Sequence, residues 1–411
     1  MNASADKPAI AGGSPTVQPA PGRRHRWGGL ELARLTTMVE QESLFYWGGP
    51  QTTELLRRFT ALYPLEHCMP CSSGTAALHI AVAALKLPPG SEIIVPAITD
   101  MGSVIGILYQ QLVPVFADVD PLTGNIDPED AARRVTARTR AIMPVHLAGM
   151  PCDMTAVMAL AQKHELLVIE DCAQAWGATW QGQPVGLQGD FGCYSFNEFK
   201  HLSCGDGGMV GTNRDDLGHG LSKWGDKHYD RVAGGRNPPT LSPNYRITEP
   251  QSAVACGQLA RHNDLVATRR RLGLRLSRAL AALDGISVAF DTPDTASSFW
   301  FMLPRLEPDA VRVSRNEFVA ALKAEGVLSE GAYIPSPVPH YALFQNHDFF
   351  AGTWPLRDTG MTTMNYREVK VPQAEDLLAR CVTLTLHEGL TETYVDQVAA
   401  AFAKLLNFYA N

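Results

Sequence analysis

Lys200 stands between a short apolar segment and a glycine-rich turn, in the stretch SFNEFKHLSCGDGG at residues 195–208. An ammonium group prefers water, so a lysine held in a partly apolar place has a lowered pKa and can act as a nucleophile near neutral pH. Considered alone, Lys200 is equally well an ordinary loop lysine. Its interpretation therefore depends on the other reactive side chains of the chain.

Asp171 ends the apolar stretch LLVIED, which has the pattern of a buried strand. A carboxylate at the end of such a strand is costly unless it is paired. A protonated ring nitrogen of a ligand would be one partner, and a helix cap or a surface ion pair is the alternative. Gln174 follows three residues later and can point into the same pocket.

An anion seat is indicated by Ser73, Gly74 and Thr75, which open the predicted helix SSGTAALHIAVAAL. Backbone N–H groups at a helix start, together with hydroxyls, bind phosphate well, although Ser73 also suits a plain helix cap. The Ser195 hydroxyl can join this seat. Asn244, just before a long helical stretch, is either a cap or a further polar contact.

The order of these features carries more information than any of them alone. An anion seat comes first, then an acid at a strand end, then a lysine 29 residues after Asp171. A pyridoxal 5′-phosphate site needs these parts: a Schiff-base lysine, a carboxylate for the pyridinium nitrogen and a cradle for the phosphate. The carboxylate keeps the ring protonated, which makes it the better electron sink.

The elements that must position these residues alternate between helix and strand from about residue 31. The strands are short continuous apolar runs, which predicts a mostly parallel sheet covered by helices on both faces. Ligands bind at the carboxyl ends of such strands, where the candidate residues fall. We therefore predict an α/β fold with an N-terminal arm (1–30), a large domain (31–265) and a smaller C-terminal α+β domain (266–411). Residues 1–22 of the arm are rich in Pro, Gly, Ala and Ser, and we expect them to be loosely held.

Composition limits the possible partners. The chain has 411 residues, a net charge of −7 and no long basic run, which argues against nucleic acid or an anionic membrane as a partner. We expect neither a signal peptide nor a membrane span. Cys68 and Cys71 form a C-x-x-C without a second pair, so we expect reduced cysteines in a cytoplasmic protein and no metal site.

Over nearly its whole length the sequence resembles the DegT/DnrJ/StrS family of fold-type I aminotransferases, which act on sugars and aminocyclitols. The stretches that carry the resemblance are SSGTAALHIAVAAL, FADVDPLTGNIDP, VHLAGMPCDM, VIEDCAQAWGA, SFNEFKHLSCGDGGMV and NYRITEPQSAVACGQL. The resemblance implies that Lys200 forms the Schiff base with pyridoxal phosphate and that Asp171 pairs with the ring nitrogen.

Further roles come from the same resemblance. It places Gln174 near the ring hydroxyl, and Gly74, Thr75 and Ser195 at the phosphate. Asn244 would reach the phosphate of the neighbouring subunit, so the active unit would be a homodimer with shared active sites. His340, in YIPSPVPH, falls near a substrate-side histidine of the family.

Two departures from the family pattern fall on expected pocket positions. After the strand VPAIT the family has an aromatic residue that stacks on the cofactor ring, and this chain has Asp100 and Met101 there. Met101 would supply an apolar face, or Trp176 would pack on the ring. Asp100 would bind a substrate amine or hydroxyl. Trp176 stands where relatives often have histidine, and we expect it to line the substrate pocket.

The resemblance implies a transaminase that takes an amino group from glutamate or glutamine, stores it as pyridoxamine 5′-phosphate and passes it to a keto-sugar, nucleotide-linked or free, or to a keto-cyclitol. Lys200 would carry the proton between substrate and cofactor. Two alternatives fit the sequence less well. Sugar dehydratases of this kind replace the lysine by histidine, whereas here His201 only follows Lys200. A non-catalytic regulator would not need the complete set of Lys200, Asp171 and Ser195.

Overall fold

The computed structural model describes residues 7–22 and 24–410. Residues 1–6 and 23 of the predicted arm, and residue 411, lie outside the described residues. The strands in chain order are β1 (His67–Cys71), β2 (Glu92–Pro96), β3 (Val113–Ala117), β4 (Thr139–Ile142), β5 (Leu167–Asp171), β6 (Thr179–Trp180), β7 (Gln183–Pro184), β8 (Phe191–Ser195), β9 (Gly208–Thr212), β10 (Ile286–Ser287), β11 (Thr295–Ala296), β12 (Phe301–Met302), β13 (Arg305–Leu306), β14 (Ser329–Glu330) and β15 (Thr383–Thr385).

The helices follow the predicted alternation with the strands. They are α1 (Gly29–Met38), α2 (Pro50–Leu62), α3 (Gly74–Ala84), α4 (Gly102–Tyr109), α5 (Pro128–Arg133), α6 (Met154–His164), α7 (Asp215–Gly218), α8 (Glu249–Leu259), α9 (His262–Ala281), α10 (Arg315–Ala324), α11 (Ala342–Gln345), α12 (Pro355–Asp358), α13 (Pro372–Arg380) and α14 (Glu392–Tyr409).

The central sheet has seven strands in the order β1-β9-β8-β5-β4-β2-β3. Its strands pair in parallel except at β9, which runs antiparallel to both β1 and β8. Strands β2, β3 and β8 are buried at every position, as their continuous apolar sequences require. The predicted α/β fold with a mostly parallel sheet covered by helices is confirmed.

A second apolar cluster lies in the C-terminal part and joins α9, α10 and α14 to the small sheet β12-β15-β14. The segment around α11 to α13 does not belong to this cluster, because it packs against the core of the central sheet. The Tyr366 hydroxyl, for example, donates to the carbonyl of Pro114 in β3 at 2.9 Å. The predicted domain boundary at residue 265 therefore remains a proposal.

The N-terminal arm is not loosely held where the structure describes it. Val17 is buried in the second cluster, and its N–H donates to the carbonyl of Glu325 at 2.9 Å. The buried Glu325 carboxylate accepts from the N–H groups of Ala9 and Thr16 at 2.7 and 2.8 Å. The expectation from composition was wrong because three anchored residues are enough to hold a segment rich in Pro and Gly.

The long helical stretch predicted after Asn244 is interrupted. Helix α8 ends at Leu259 and α9 begins at His262, with Arg261 outside helical geometry at φ −103° and ψ 1°. None of the helices formed by residues 7–22 and 24–410 is both long enough and apolar enough to cross a lipid bilayer.

Candidate active site

The carboxyl ends of β1, β2, β5 and β8 meet at one edge of the central sheet, where an open parallel sheet binds its ligands. Asp171 is the last residue of β5, and Ser195 is the last residue of β8. The chain leaves β1 at Cys71 and enters α3 at Gly74, and it leaves β2 at Pro96 and enters α4 at Gly102. The topology therefore brings the predicted anion seat, acid and lysine segment together.

The predicted anion seat is formed by the start of α3. The Ser73 hydroxyl caps the helix by accepting from the N–H of Ala76 at 3.0 Å, while the preceding amides of a helix have no partner within it. A Cβ added to Gly74 would lie 2.7 Å from the Cβ of Ser195, so only glycine allows β8 and α3 to approach this closely. The Thr75 hydroxyl lies 2.7 Å from the corresponding Cβ position on Gly102, at the start of α4.

Asp171 is buried and held by two hydrogen bonds. The Ser103 hydroxyl donates to one carboxylate oxygen at 2.7 Å, and the N–H of Ala173 donates to the other at 3.0 Å. Burial raises the pKa of Asp171, while these two hydrogen bonds and the nearby Lys200 act to lower it. A buried acid with a cationic lysine nearby suits a protonated ring nitrogen as its further partner.

Lys200 is partly buried, and its Nζ atom lies 3.8 Å from the ring centroid of Trp300. Burial lowers the pKa of its amine to about 8, against the opposing influence of Asp171 and Asp100. At physiological pH the amine therefore exists in both its protonated and its neutral form, and the neutral form is the one that attacks an aldehyde.

The backbone of Lys200 is fixed by the N-terminal arm. The Arg26 guanidinium donates to the Lys200 carbonyl at 2.8 Å, and Arg24 donates to the carbonyls of Lys200 and His201 at 3.3 and 2.9 Å. Nothing in the spacing of the chain indicated these contacts. The only local signal was the basic cluster GRRHRW, which carries no information about what it touches.

Gln174 joins the end of β5 to the C-terminal part of the chain. Its side-chain oxygen accepts from the N–H of Ala148 at 2.8 Å, and its side-chain nitrogen donates to the Tyr333 hydroxyl at 3.0 Å. Burial raises the pKa of Tyr333, and Asp100 and Asp171 raise it further. Tyr333 therefore belongs to the site, although nothing in the local sequence marked it.

Trp176 does not line the pocket, so the prediction that it binds substrate or packs on the ring is wrong. Its side chain is 0% exposed and packs in the aromatic core with Tyr63, Tyr194 and Phe196. Its indole N–H donates to the carbonyl of Ser195 at 2.8 Å. The turn after β5 directs Gln174 and Trp176 to different sides, which the sequence spacing cannot show.

The predicted roles of four other residues are not tested by their positions in the structure and stay predictions. Met101 precedes α4 and packs partly buried against the central core. His340 lies 3.7 Å from the Glu375 carboxylate. Asn244 is exposed and lies in a backbone bridge with Asp226. The Asp100 side chain is exposed, and its carboxylate accepts from the N–H of Gly102 at 2.8 Å.

The residues present fit pyridoxal phosphate. The glycine-permitted approach of α3 to Ser195 makes a cradle of amides and hydroxyls, Asp171 is a buried acid, and Lys200 has an amine with a lowered pKa. When bound, this cofactor supplies an electron sink for negative charge that develops on a substrate carbon.

The eight cysteines are free thiols, and burial raises the pKa of both Cys68 and Cys71 to about 12.

Known proteins with similar sequences are aminotransferases. The chain is 34% identical over 412 residues to a putative L-glutamine:3-amino-2,3-dideoxy-scyllo-inosose aminotransferase of Streptoalloteichus tenebrarius, covering 97% of each chain. It is 32% identical over 378 residues to the GDP-perosamine synthase of Caulobacter vibrioides, covering 87% of this chain and 91% of that protein.

Solved structures agree with this similarity. DesV of S. venezuelae, crystallised with a ketimine intermediate, has a TM-score of 0.79 at 27% identity, with 92% of this chain and 94% of DesV covered. The synthase of 3-amino-5-hydroxybenzoic acid has a TM-score of 0.82 at 26% identity, with 95% and 100% covered. Residues 29–403 match the DegT/DnrJ/EryC1/StrS aminotransferase family. The chain therefore belongs to this family and is a pyridoxal phosphate-dependent aminotransferase.

Proposed function

We propose that this aminotransferase moves an amino group from glutamine or glutamate to a keto-cyclitol or a keto-sugar, nucleotide-linked or free, by way of pyridoxamine 5′-phosphate. The single observation that carries the proposal is the Lys200 amine, whose pKa is lowered to about 8 at the edge of the sheet where Asp171 ends β5. The acceptor class is supported by the relatives named for a cyclitol ketone and a nucleotide sugar.

Each side chain of the site has a separate role in the proposed reaction. Lys200 would anchor the cofactor through its amine, and with the donor bound in that place the free amine would carry the proton that leaves the donor α-carbon. Asp171 holds the ring nitrogen protonated. Ser73, Gly74, Thr75 and Ser195 bind the phosphate through amides and hydroxyls. Met101 contacts the ring and His340 the substrate.

We also propose that the active unit is a homodimer with shared active sites, in which Asn244 reaches the phosphate of the partner subunit. The exposure of Asn244 supports this role. The same segment exposes two apolar side chains, Val232 at 88% and Leu241 at 93%, which a second copy would cover. The free thiols support a cytoplasmic location, where cysteines remain reduced.

The proposed reaction is tested by following the visible absorption of the lysine-bound cofactor. Adding L-glutamine or L-glutamate should convert the absorption to that of pyridoxamine phosphate, and adding a keto-cyclitol should restore it. With donor labelled by ¹⁵N at the α-amine, mass spectrometry should find the label in the product. The Lys200→Ala variant should show neither the absorption change nor the labelled product. A wild-type protein that exchanges with no amino acid, or a Lys200→Ala variant that still does, would contradict the proposal.

A further inference from the structure

Asp100 is an exposed acid at the mouth of the site. It follows β2 and lies at the start of α4, where one carboxylate oxygen accepts from the N–H of Gly102 at 2.8 Å. A Cβ on Gly102 would lie 3.1 Å from this oxygen and 2.7 Å from the Thr75 hydroxyl, so Asp100 is beside the anion seat. The hydrogen bond uses one oxygen, which leaves acceptor capacity on the carboxylate.

The charge of Asp100 acts on the residues around the lysine amine. It raises the pKa of Lys200, and it contributes to the raised pKa of Tyr333 and of Tyr341. These side chains come from the lysine segment and from the C-terminal part of the chain. Asp100 is therefore within electrostatic range of the lysine amine, next to which an acceptor has to present its ketone.

The Lys200 amine is close enough to be affected by the charge of this carboxylate, but it does not form an ion pair with it. Within residues 7–22 and 24–410, no ion pair joins Asp100 to a lysine, arginine or histidine. Asp171 is also near Lys200, but it is buried and its two oxygens are bound by Ser103 and Ala173. An uncompensated carboxylate at the mouth of a site repels anionic groups and attracts cationic ones.

The chemistry of a carboxylate decides which ligand group it selects. An ionised carboxylate only accepts hydrogen bonds. A ring ammonium offers three donors and an opposite charge, whereas a hydroxyl offers one donor and no charge, so the charge-assisted bond to the amine is the stronger. Asparagine at this position would keep the contact to Gly102 and lose the charge.

We propose that Asp100 binds a cationic amine of the acceptor, so that this aminotransferase acts on a keto-cyclitol that already carries an amino group. The inference rests on the proposed function and narrows its acceptor. Relatives are named for an acceptor of this kind, 3-amino-2,3-dideoxy-scyllo-inosose. The product of such a reaction is a diamine, so an earlier amination must supply the substrate.

The test compares 3-amino-2,3-dideoxy-scyllo-inosose with the analogue that has a hydroxyl in place of the amine. The wild-type enzyme should have a kcat/KM at least tenfold higher for the amine, and Asp100→Asn should lower this preference about tenfold or more. Glu198→Gln, which removes an exposed negative charge two residues from Lys200, should keep the preference within about twofold. Asp100→Ser, which also keeps a capping oxygen, provides a second variant.

Binding gives an independent measurement. The ligand is the aminocyclitol whose ketone is reduced to a hydroxyl, and the protein is in its pyridoxamine phosphate form. Isothermal titration calorimetry should show that this ligand binds to Asp100→Asn about tenfold more weakly than to wild type. Equal preference in wild type and Asp100→Asn, no preference in wild type, or turnover of neither compound would overturn the inference. The half-reaction with the donor separates failure of this inference from failure of the proposed function. If the proposed function is wrong, the wild-type protein shows no cofactor exchange with glutamine or glutamate.

Discussion

At the residue scale, the ionisation of Lys200 is the property that determines reactivity. The pKa of its amine is lowered from the ordinary 10.5 to about 8, because burial disfavours the charged form more than Asp171 and Asp100 favour it. At pH 7 this shift makes the neutral, nucleophilic fraction roughly 300-fold larger than for an exposed lysine.

This ionisation predicts a pH dependence for the capture of pyridoxal phosphate by the cofactor-free protein. The neutral amine attacks the aldehyde, so the rate should be low below the pKa, rise with pH and level off above it. We expect the midpoint near pH 8, measured as the rate at which the visible absorption band appears. A midpoint near 10 would show that the amine is not desolvated and would contradict the assigned environment.

The residue scale also shows what sequence can and cannot indicate about a site. Lys200, Asp171 and Ser195 were predictable because each terminates or follows an apolar run, and the sheet topology brings those ends together. Trp176 was misassigned because its distance in sequence from Asp171 says nothing about which side of the turn it faces. Tyr333 was missed because its contact with Gln174 spans 159 residues.

At the element scale, the acid next to Asp171 holds the loop that follows β7. Glu170 is fully buried, and its carboxylate accepts from the N–H groups of Gly186, Gln188 and Gly189 at 2.6 to 2.8 Å. His146 Nε2 lies 3.1 Å from the same carboxylate. Glu170 thereby ties β5 to the loop that leads into β8.

Replacing this acid should therefore destabilise the protein. Glu170→Gln puts an amide N–H₂ against backbone N–H donors and leaves at least one of them unsatisfied, which should lower the free energy of unfolding by about 3 kcal/mol. Chemical denaturation measures the loss. Glu165→Gln, the same change at an exposed position, should stay within about 0.5 kcal/mol of wild type. Equal effects of the two variants would contradict the role of Glu170.

Elements with a strong periodic pattern were predicted, and those defined by long-range pairing were not. Strand β1 has the sequence HCMPC, which contains none of the β-branched or aromatic residues typical of strands, and it is a strand because its five residues pair with β9. The break between α8 and α9 contains neither Gly nor Pro, so the local sequence gave no reason to interrupt the helix. The attachment of the arm depends on Glu325, more than 300 residues away.

At the scale of the whole molecule, the central sheet was predictable because buried parallel strands have continuous apolar sequences. The packing of the C-terminal part was not predictable, because residues 334–381 pack on the central core while the chain before and after them forms the second cluster, through contacts that only the folded chain makes.

The proposed sharing of active sites between subunits makes a prediction for mixed dimers. Lys200→Ala lacks the amine, and Asn244→Ala lacks the proposed phosphate contact from the partner. A heterodimer of the two would have one complete site, so mixing the inactive Lys200→Ala with the weakened Asn244→Ala protein under subunit exchange should restore turnover. If Asn244 served its own subunit, the mixture would have only the activity of its components.

The central claim is that the amine of Lys200 bonds to the aldehyde of pyridoxal phosphate. Reducing the cofactor-loaded protein with borohydride fixes that bond, and mass spectrometry of its peptides then locates the phosphopyridoxyl group. The group should be found on Lys200 and on no other lysine, and Lys200→Ala should take up none. A phosphopyridoxyl group on a different lysine of the wild-type protein would contradict the account.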